Sequence, residues 1–452
     1  MTYILSKKQQ FSAALFATAT LLSAQTFAAV SAEEAAKLGN SLTPVGATKA
    51  GNGDGSIPAW NGGLTQLVAR GDNPFANEKP LLTITAANVD QHTAMLTPGQ
   101  VALFKAYPNS YQIPVYPSHR TGAYPQSIYD KAIKNATTAQ LTANGLSNYD
   151  EAIPFAMPQN GLEVLWNHIT RYRGGSAQRK LMQAPVQRNG SYTAVKLVDE
   201  FIFPQYMSDG YDAAQDANML FYFKQEITEP ARLVGTTLLV HETVDQVVQP
   251  RMAWIYNSGQ RRVRRAPQVA YDGPGTAADG LRTSDNFDMF NGSPDKYNWK
   301  LVGKKEMYIP YNSFELGSPR HKYDDIIREG HINPALTRYE KHRVWVVEGT
   351  LKEGERHIYA KRTLYVDEDT WQIAVADHYD GRGQLWRVGE AHATQYTEAT
   401  VPWYSAEILH DLQSGRYLAL GLTNEEKDAV TFGFEGRHKD YTPAALRRDS
   451  KH

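Results

Sequence analysis

Ile358-Tyr-Ala-Lys-Arg-Thr-Leu-Tyr-Val366, Asp367-Glu-Asp-Thr370, Trp371-Gln-Ile-Ala-Val-Ala-Asp-His-Tyr379 and Asp380-Gly-Arg-Gly383 follow one another without a break. In the first run Ile358, Ala360, Leu364 and Val366 alternate with Tyr359, Lys361, Thr363 and Tyr365. That period of two is the pattern of a strand with one apolar and one mixed face. The two short Asp-containing segments have the chemistry of hairpin turns. Residues 344–351 before this block and 384–388 after it extend the meander. Further upstream, 219–227, 233–240 and 252–256 are rich in β-branched and aromatic residues and read as strands of the same kind. Neither a βαβ rhythm nor a self-similar repeat of 20–50 residues appears, which argues against a doubly wound sheet, a propeller or a solenoid. The expected fold class is α+β, with a large curved antiparallel sheet and helices before it and at its end.

The first part of the chain reads differently. Ser31-Ala-Glu-Glu34, Thr97-Pro-Gly-Gln100 and Thr137-Thr-Ala-Gln140 have the capping-box spacing that satisfies free amides at a helix start. Leu162, Leu165, Trp166 and Ile169 fall on one helical face. Between the first two boxes, 50–63 is too rich in glycine for regular structure. Near the other end, Thr423-Asn-Glu-Glu426 and Thr442-Pro443 read as two more helix starts. The expected organisation is a signal peptide over 1–28, a helical and extended region over 29–185, and the sheet domain with C-terminal helices over 186–452.

The signal reading rests on Lys7 and Lys8, the apolar run 11–24, and the small residues of Thr26-Phe-Ala-Ala29. It predicts export to the periplasm with cleavage near Ala28. No second apolar run of 18 or more residues follows, so an integral membrane protein is not expected. With no cysteine, the chain carries no disulfide and no lipid-bearing N-terminal Cys, and it relies on its core. Formal net charge is −1, which gives no polybasic footprint for nucleic acid.

Chemistry is harder to find. The chain has no nucleophile elbow, P-loop, GxGxxG or HExxH, so no catalytic residue, cofactor or metal is expected. Asp377-His378 and His410-Asp411 are the remaining acid/base pairs, and a hydrolase built on them is the least favoured reading. Asn52/Asp54 and Asp285/Asp288 carry too few carboxylates for a calcium cage. The sharpest constellation is Trp254-Ile-Tyr256, a Ser258-Gly259 turn, and the returning run Arg261-Arg-Val-Arg-Arg265. Alternation puts Arg262 and Arg264 on one face and Arg261 and Arg265 on the other. Either these arginines neutralise acids across the sheet, or they meet an anionic ligand or partner.

This hairpin resembles the lipoprotein-sorting group around the periplasmic carriers LolA and LolB. Ala50-Gly-Asn-Gly-Asp-Gly-Ser-Ile-Pro-Ala-Trp60, Tyr116-Pro-Ser-His-Arg120, Arg261–Pro267 and Tyr297–Tyr311 are similar, more closely, to domain of unknown function 1329, a family of secreted proteobacterial proteins. The resemblance implies a half-barrel with helices over its concave face and an apolar cavity between them. It also implies an association with outer-membrane proteins and efflux-type inner-membrane transporters. On that basis the expected function is non-enzymatic: a carrier or chaperone for a lipid-like molecule in envelope transport. The expected cavity lining is Met252, Trp254, Tyr256, Trp345, Trp371 and Trp386, with Val344, Ile358, Leu364 and Ile373 behind them, and Arg262, Arg264 and Arg265 near a head group. A polysaccharide-binding module is the alternative, since exposed Tyr and Trp also suit sugar stacking.

Overall fold

The runs read as strands do pair, and several extend beyond their apolar cores. The computed structural model describes residues 30–267 and 269–449, so the expected signal segment lies outside the described residues. In chain order the strands are β1 (Leu82–Ile84), β2 (Ile113–Tyr116), β3 (Gln140–Leu141), β4 (Leu146–Ser147), β5 (Ser176–Val186), β6 (Val195–Ile202), β7 (Met219–Glu229), β8 (Thr237–Thr243) and β9 (Met252–Asn257). They continue with β10 (Arg262–Arg265), β11 (Tyr297–Pro310), β12 (Tyr339–Leu351), β13 (Lys361–Asp367), β14 (Ile373–Tyr379), β15 (Leu385–Tyr396), β16 (Val401–Asp411), β17 (Arg416–Leu422) and β18 (Val430–Phe432). Apart from the small β3–β4 hairpin, they form one open sheet of 16 strands in the order β1-β2-β12-β13-β14-β15-β16-β17-β5-β6-β7-β8-β9-β10, with β11 also on β12 and β18 on β5. The short β2–β12 contact is parallel, and the other described pairings between these strands are antiparallel.

The turns explain where strands stop. Thr370 Oγ1 donates to Asp367 Oδ2 at 2.6 Å and the Trp371 amide donates to the Asp367 carbonyl at 2.9 Å, closing the β13–β14 turn. Trp371 thereby sits at φ +58° rather than in a strand. Residues 358–360 also fall outside β13; the Ile358 amide bonds Asp272 Oδ2 at 2.9 Å.

Alternation gives the sheet two faces, and both are covered. On one face Phe201, Phe221, Phe223, Val240, Ala376, Ala391 and Trp403 pack with helix Gly161–Thr170 and with Met289 and Phe290. On the other, Val388 and Tyr339 meet helix Pro98–Ala106, Ile408 and Ala419 meet Tyr323 and Ile326, and Leu239 and Tyr256 meet Tyr441 and Leu446. Helices therefore divide between the faces rather than gathering on one. A strand such as β14 is buried on both sides through its first six residues, so each side needs a cover.

Two expected helix starts are something else. Thr137–Gln140 lies at the end of helix Gln126–Thr138, where the Ala139 amide bonds the Asn135 carbonyl and the chain leaves into β3. Thr423–Glu426 is a turn whose acids work on a distant segment: Glu425 accepts from the Tyr323 amide and Glu426 from the Tyr323 hydroxyl, both at 2.8 Å. The boxes at Ser31 and Thr97, and Pro443, do start helices.

Between the first face and its cover lies a buried ionic centre. Arg171 and Arg173, just past helix Gly161–Thr170, both reach Asp288, at 2.6 and 2.7 Å. Burial works to raise the Asp288 pKa, but the two guanidiniums outweigh it and hold the carboxylate below its usual range. His168 Nε2 lies 2.8 Å from the Asp288 carbonyl, while Nδ1 accepts from the Ile373 amide at 3.0 Å. Burial and the Arg171 charge push its pKa down to about 3, so the ring is neutral. Two buried cations depend on one carboxylate. Asp288→Asn is expected to cost about 3–5 kcal/mol in urea unfolding, the range for breaking a buried pair; a loss below about 1 kcal/mol would refute this role.

Candidate ligand-binding site

The register of the β7–β10 edge decides what faces inward. Arg264 pairs with Ile255 and Val263 with Tyr256, so Ala253, Ile255 and Arg264 share one face while Met252, Trp254, Tyr256 and Val263 share the other. Trp254, Tyr256 and Val263 pack with Tyr222, Leu239 and Tyr441 under the C-terminal helix. The pocket lies on the opposite face. Phe221, Phe223 and Gln225 of β7 and Leu238, Val240 and Glu242 of β8 form its floor, and Arg251, Val269, Gly275, Thr276, Arg282, Ser284, Phe287 and Asn291 its wall and roof. It is small, with about 50 Å³ of free space. Val269 and Thr276 also wall a second, outer groove of about 550 Å³ lined by Ile255, Asn257, Arg264, Arg265 and Pro267. The two spaces share that wall.

The roof is a loop held by its own backbone. Gly275 N bonds the Arg282 carbonyl at 2.9 Å, Ser284 N bonds the Gly273 carbonyl at 2.7 Å, and Thr283 Oγ1 bonds Asp285 Oδ1 at 2.7 Å. Asp285 is clamped in turn by Arg362 at 2.5 Å and His357 at 3.0 Å. Arg362 interrupts the apolar face of β13, and this pair is why it can be buried there. At the pocket wall Arg251 Nε holds Glu242 at 2.8 Å and Asn291 Nδ2 donates to the same carboxylate at 2.9 Å. Burial raises the Glu242 pKa against the pull of Arg251. Behind Gln225, Asp199 takes Arg179 at 3.3 Å and the Gln225 amide at 2.8 Å.

The other singled-out residues stand elsewhere. Trp371 is fully buried, with Nε1 on the Val45 carbonyl at 3.0 Å, and stacks on Trp345 at 6.3 Å. Trp386 donates to Asp411 at 3.0 Å and carries the Arg387 guanidinium over its ring. Val344, Leu364 and Ile373 are core; Ile358 is exposed. Arg261, Arg262, Arg264 and Arg265 are exposed, and no described carboxylate lies within 4 Å of them. Of the two proposed roles for the run, neutralising acids across the sheet finds no described partner.

The acid/base pairs do not converge. Asp377 binds the Gly99 amide at 3.1 Å and the Thr97 hydroxyl at 3.3 Å on one face, while His378 Nε2 meets Asn286 at 3.2 Å on the other. His410 and Asp411, as strand neighbours, also point apart; Asp411 is held by Arg387 at 3.1 Å. Asp54 pairs with Lys341 at 2.9 Å. Among the described residues one trio, His342, Asp367 and Asp369, has ligand atoms within 4.8 Å of one another. Glu340 already holds His342 Nε2 at 2.9 Å and Arg120 holds Asp369 at 2.6 Å, so these groups have protein partners.

Sequence reading missed Phe221, Phe223, Leu238, Val240, Glu242, Arg251 and Arg282. The alternation of β7 and β8 marks two faces without saying which one a loop 40–60 residues later will roof. Glu407, on the same face, has its pKa pushed up to about 8 by burial against the pull of Arg282. Its folded pKa exceeds the unfolded value, so the unfolded chain binds fewer protons between about pH 4.5 and 8 and stability falls as pH rises through that window. Glu407→Gln is expected to unfold at higher denaturant than the wild type at pH 9 and to lose that advantage at pH 4.5. An equal difference at both pH values would rule the linkage out.

Residues 83–447 match the model of a family described as protein of unknown function, DUF1329. An uncharacterized protein of Pseudomonas aeruginosa is 62% identical over 438 residues, covering 95% of this chain and 96% of its own. A putative outer membrane lipoprotein-sorting protein domain from Vibrio parahaemolyticus is similar in structure at TM-score 0.43 and 14% identity, over 64% of this chain and 98% of that one. A DUF1329 family protein from Desulfovibrio piger gives TM-score 0.44 and 14% identity, over 63% and 97%.

Proposed function

Because this chain belongs to the DUF1329 family, a family described by its unknown function, we propose a role from the pocket itself: the protein is a non-enzymatic carrier or chaperone for a hydrophobic, lipid-like ligand. The observation that carries this reading is the apolar surface made by Phe221, Phe223, Leu238, Val240 and Phe287, beside an outer groove with which it shares the Val269 and Thr276 wall. Concave sites of this kind, mostly apolar with a few placed polar groups, take small apolar ligands. Each methylene transferred from water into such a site contributes about 0.8 kcal/mol. In this reading the open sheet works as a half-barrel whose inner face holds cargo, and the roof loop 269–291 is its cover.

The separation of Asp377 from His378 and of His410 from Asp411 supports binding over hydrolysis. Among the described residues no helix is long and apolar enough to cross a membrane. Together with the leader-like 1–28, this supports a periplasmic carrier that exchanges cargo with an outer-membrane protein and an efflux-type inner-membrane transporter. The aromatic residues Trp371 and Trp403 are buried, and an open sugar-stacking platform would need them exposed.

Phe223→Asp places a charge on the pocket floor. It is expected to lower the melting temperature, because the charge is buried, and, measured at a temperature where circular dichroism shows the variant folded, to weaken binding of a fluorescent apolar probe to delipidated protein at least 10-fold. Absence of probe and fatty-acid binding to the wild type would overturn the carrier reading.

A further inference from the structure

Arg282 differs from the other arginines buried on its face of the sheet. Arg171 and Arg173 have Asp288, Arg179 has Asp199, Arg251 has Glu242, and Arg362 has Asp285. Arg282 is 6% exposed, lines the pocket, and has no described carboxylate within 4 Å and no described hydrogen-bond acceptor. Its Nε is buried without a hydrogen-bond partner, as are those of Arg171, Arg173, Arg179 and Arg362, so what sets it apart is the lack of a direct ion pair. A buried charge is normally paired, because water no longer solvates it. Two carboxylates act on Arg282 only through space: Asp199, already held by Arg179 at 3.3 Å, and Glu407, which burial shifts toward its neutral form and which takes the Met289 amide on one oxygen at 3.3 Å. Gly275 lies against the guanidinium plane: a Cβ there would stand 2.9 Å from Nε and 3.3 Å from Cζ.

Resting on the carrier reading, we infer that Arg282 is the head-group site of the pocket and that the ligand is an anionic amphiphile, an apolar chain ending in a carboxylate or a phosphate. The planar fork of arginine matches either oxyanion with two parallel hydrogen bonds. The aromatic and aliphatic floor meets the part of the chain next to the head, and the larger outer groove takes the rest. Arg264 and Arg265 at the outer groove add positive charge on the side from which such a ligand enters. The anion supplies the direct ion pair that the fold does not, so the site has a built-in preference for a charged head over a neutral one.

The test is calorimetric titration of delipidated protein at pH 7 with hexadecanoate, hexadecyl phosphate, hexadecanol and inorganic phosphate. Hexadecanoate or hexadecyl phosphate is expected to bind at least 10-fold more tightly than hexadecanol, and whichever is tighter identifies the head. Arg282→Met is expected to lower anion affinity about 10- to 100-fold, the scale of hydrogen bonds to a charged group. It should leave hexadecanol within about threefold and raise the melting temperature of the ligand-free protein, since an unpaired buried charge is gone. Arg282→Lys, which keeps the charge but loses the fork, is expected to fall between the two, and it carries the test if the Met variant does not fold. Equal binding of hexadecanoate and hexadecanol by the wild type would overturn this proposal and leave the carrier reading standing. Inorganic phosphate binding as tightly as the hexadecyl compounds would overturn the amphiphile. Failure of all hexadecyl ligands to bind would overturn both readings.

Discussion

The Asp288 carboxylate holds two buried guanidiniums, and the cover of the sheet depends on it. Arg171 and Arg173 follow helix Gly161–Thr170, Asp288 belongs to the loop roof, and His168 ties both to the backbone at Ile373 of β14. Three segments far apart in sequence therefore meet at one neutralised centre. Burying any one of these charges alone would cost several kcal/mol, so the helix, the loop and the sheet are stable there only together. The same logic repeats outward along the face: Asp285 with Arg362, Asp199 with Arg179, Glu242 with Arg251. Each pair pins a strand or the roof loop while leaving the pocket floor apolar.

Against that background Arg282 stands out as an interaction left incomplete. The roof positions it through the backbone bonds at Gly275 and Ser284, independent of any counter-ion. A fold that gives the other buried arginines of this face a direct ion pair and leaves one without, beside an apolar floor, keeps positive potential where a ligand would sit. The outer run Arg261–Arg265 extends that potential to the surface, with no described acid to cancel it.

Register turns strand patterns into a site. A one-residue shift exchanges the faces of a strand, and the pairings Arg264↔Ile255 and Val263↔Tyr256 put Trp254 and Tyr256 under the C-terminal helix and Ile255 at the groove. The aromatic residues that looked like cavity lining are packing on the far side. The less conspicuous alternation of Phe221, Phe223, Leu238 and Val240 makes the floor.

Much of the fold was legible in the residues. The alternation around 358–379, the turns at Asp367–Thr370 and Asp380–Gly383, the strands of 219–256 and the capping boxes at Ser31 and Thr97 are local signals, set by side-chain period and by which amides need a partner. Family membership was legible for the same reason, since its motifs are contiguous. The two late or mid-chain boxes misled because Thr and Glu at that spacing serve equally well as long-range acceptors, as Glu425 and Glu426 do for Tyr323. Tertiary structure alone decided which face is roofed, that Arg362 and Asp288 are buried with partners, and that Arg282 is buried without one. Those facts depend on contacts between residues tens to hundreds apart, and neither the period of a strand nor the identity of a charge encodes the distance to its counter-ion.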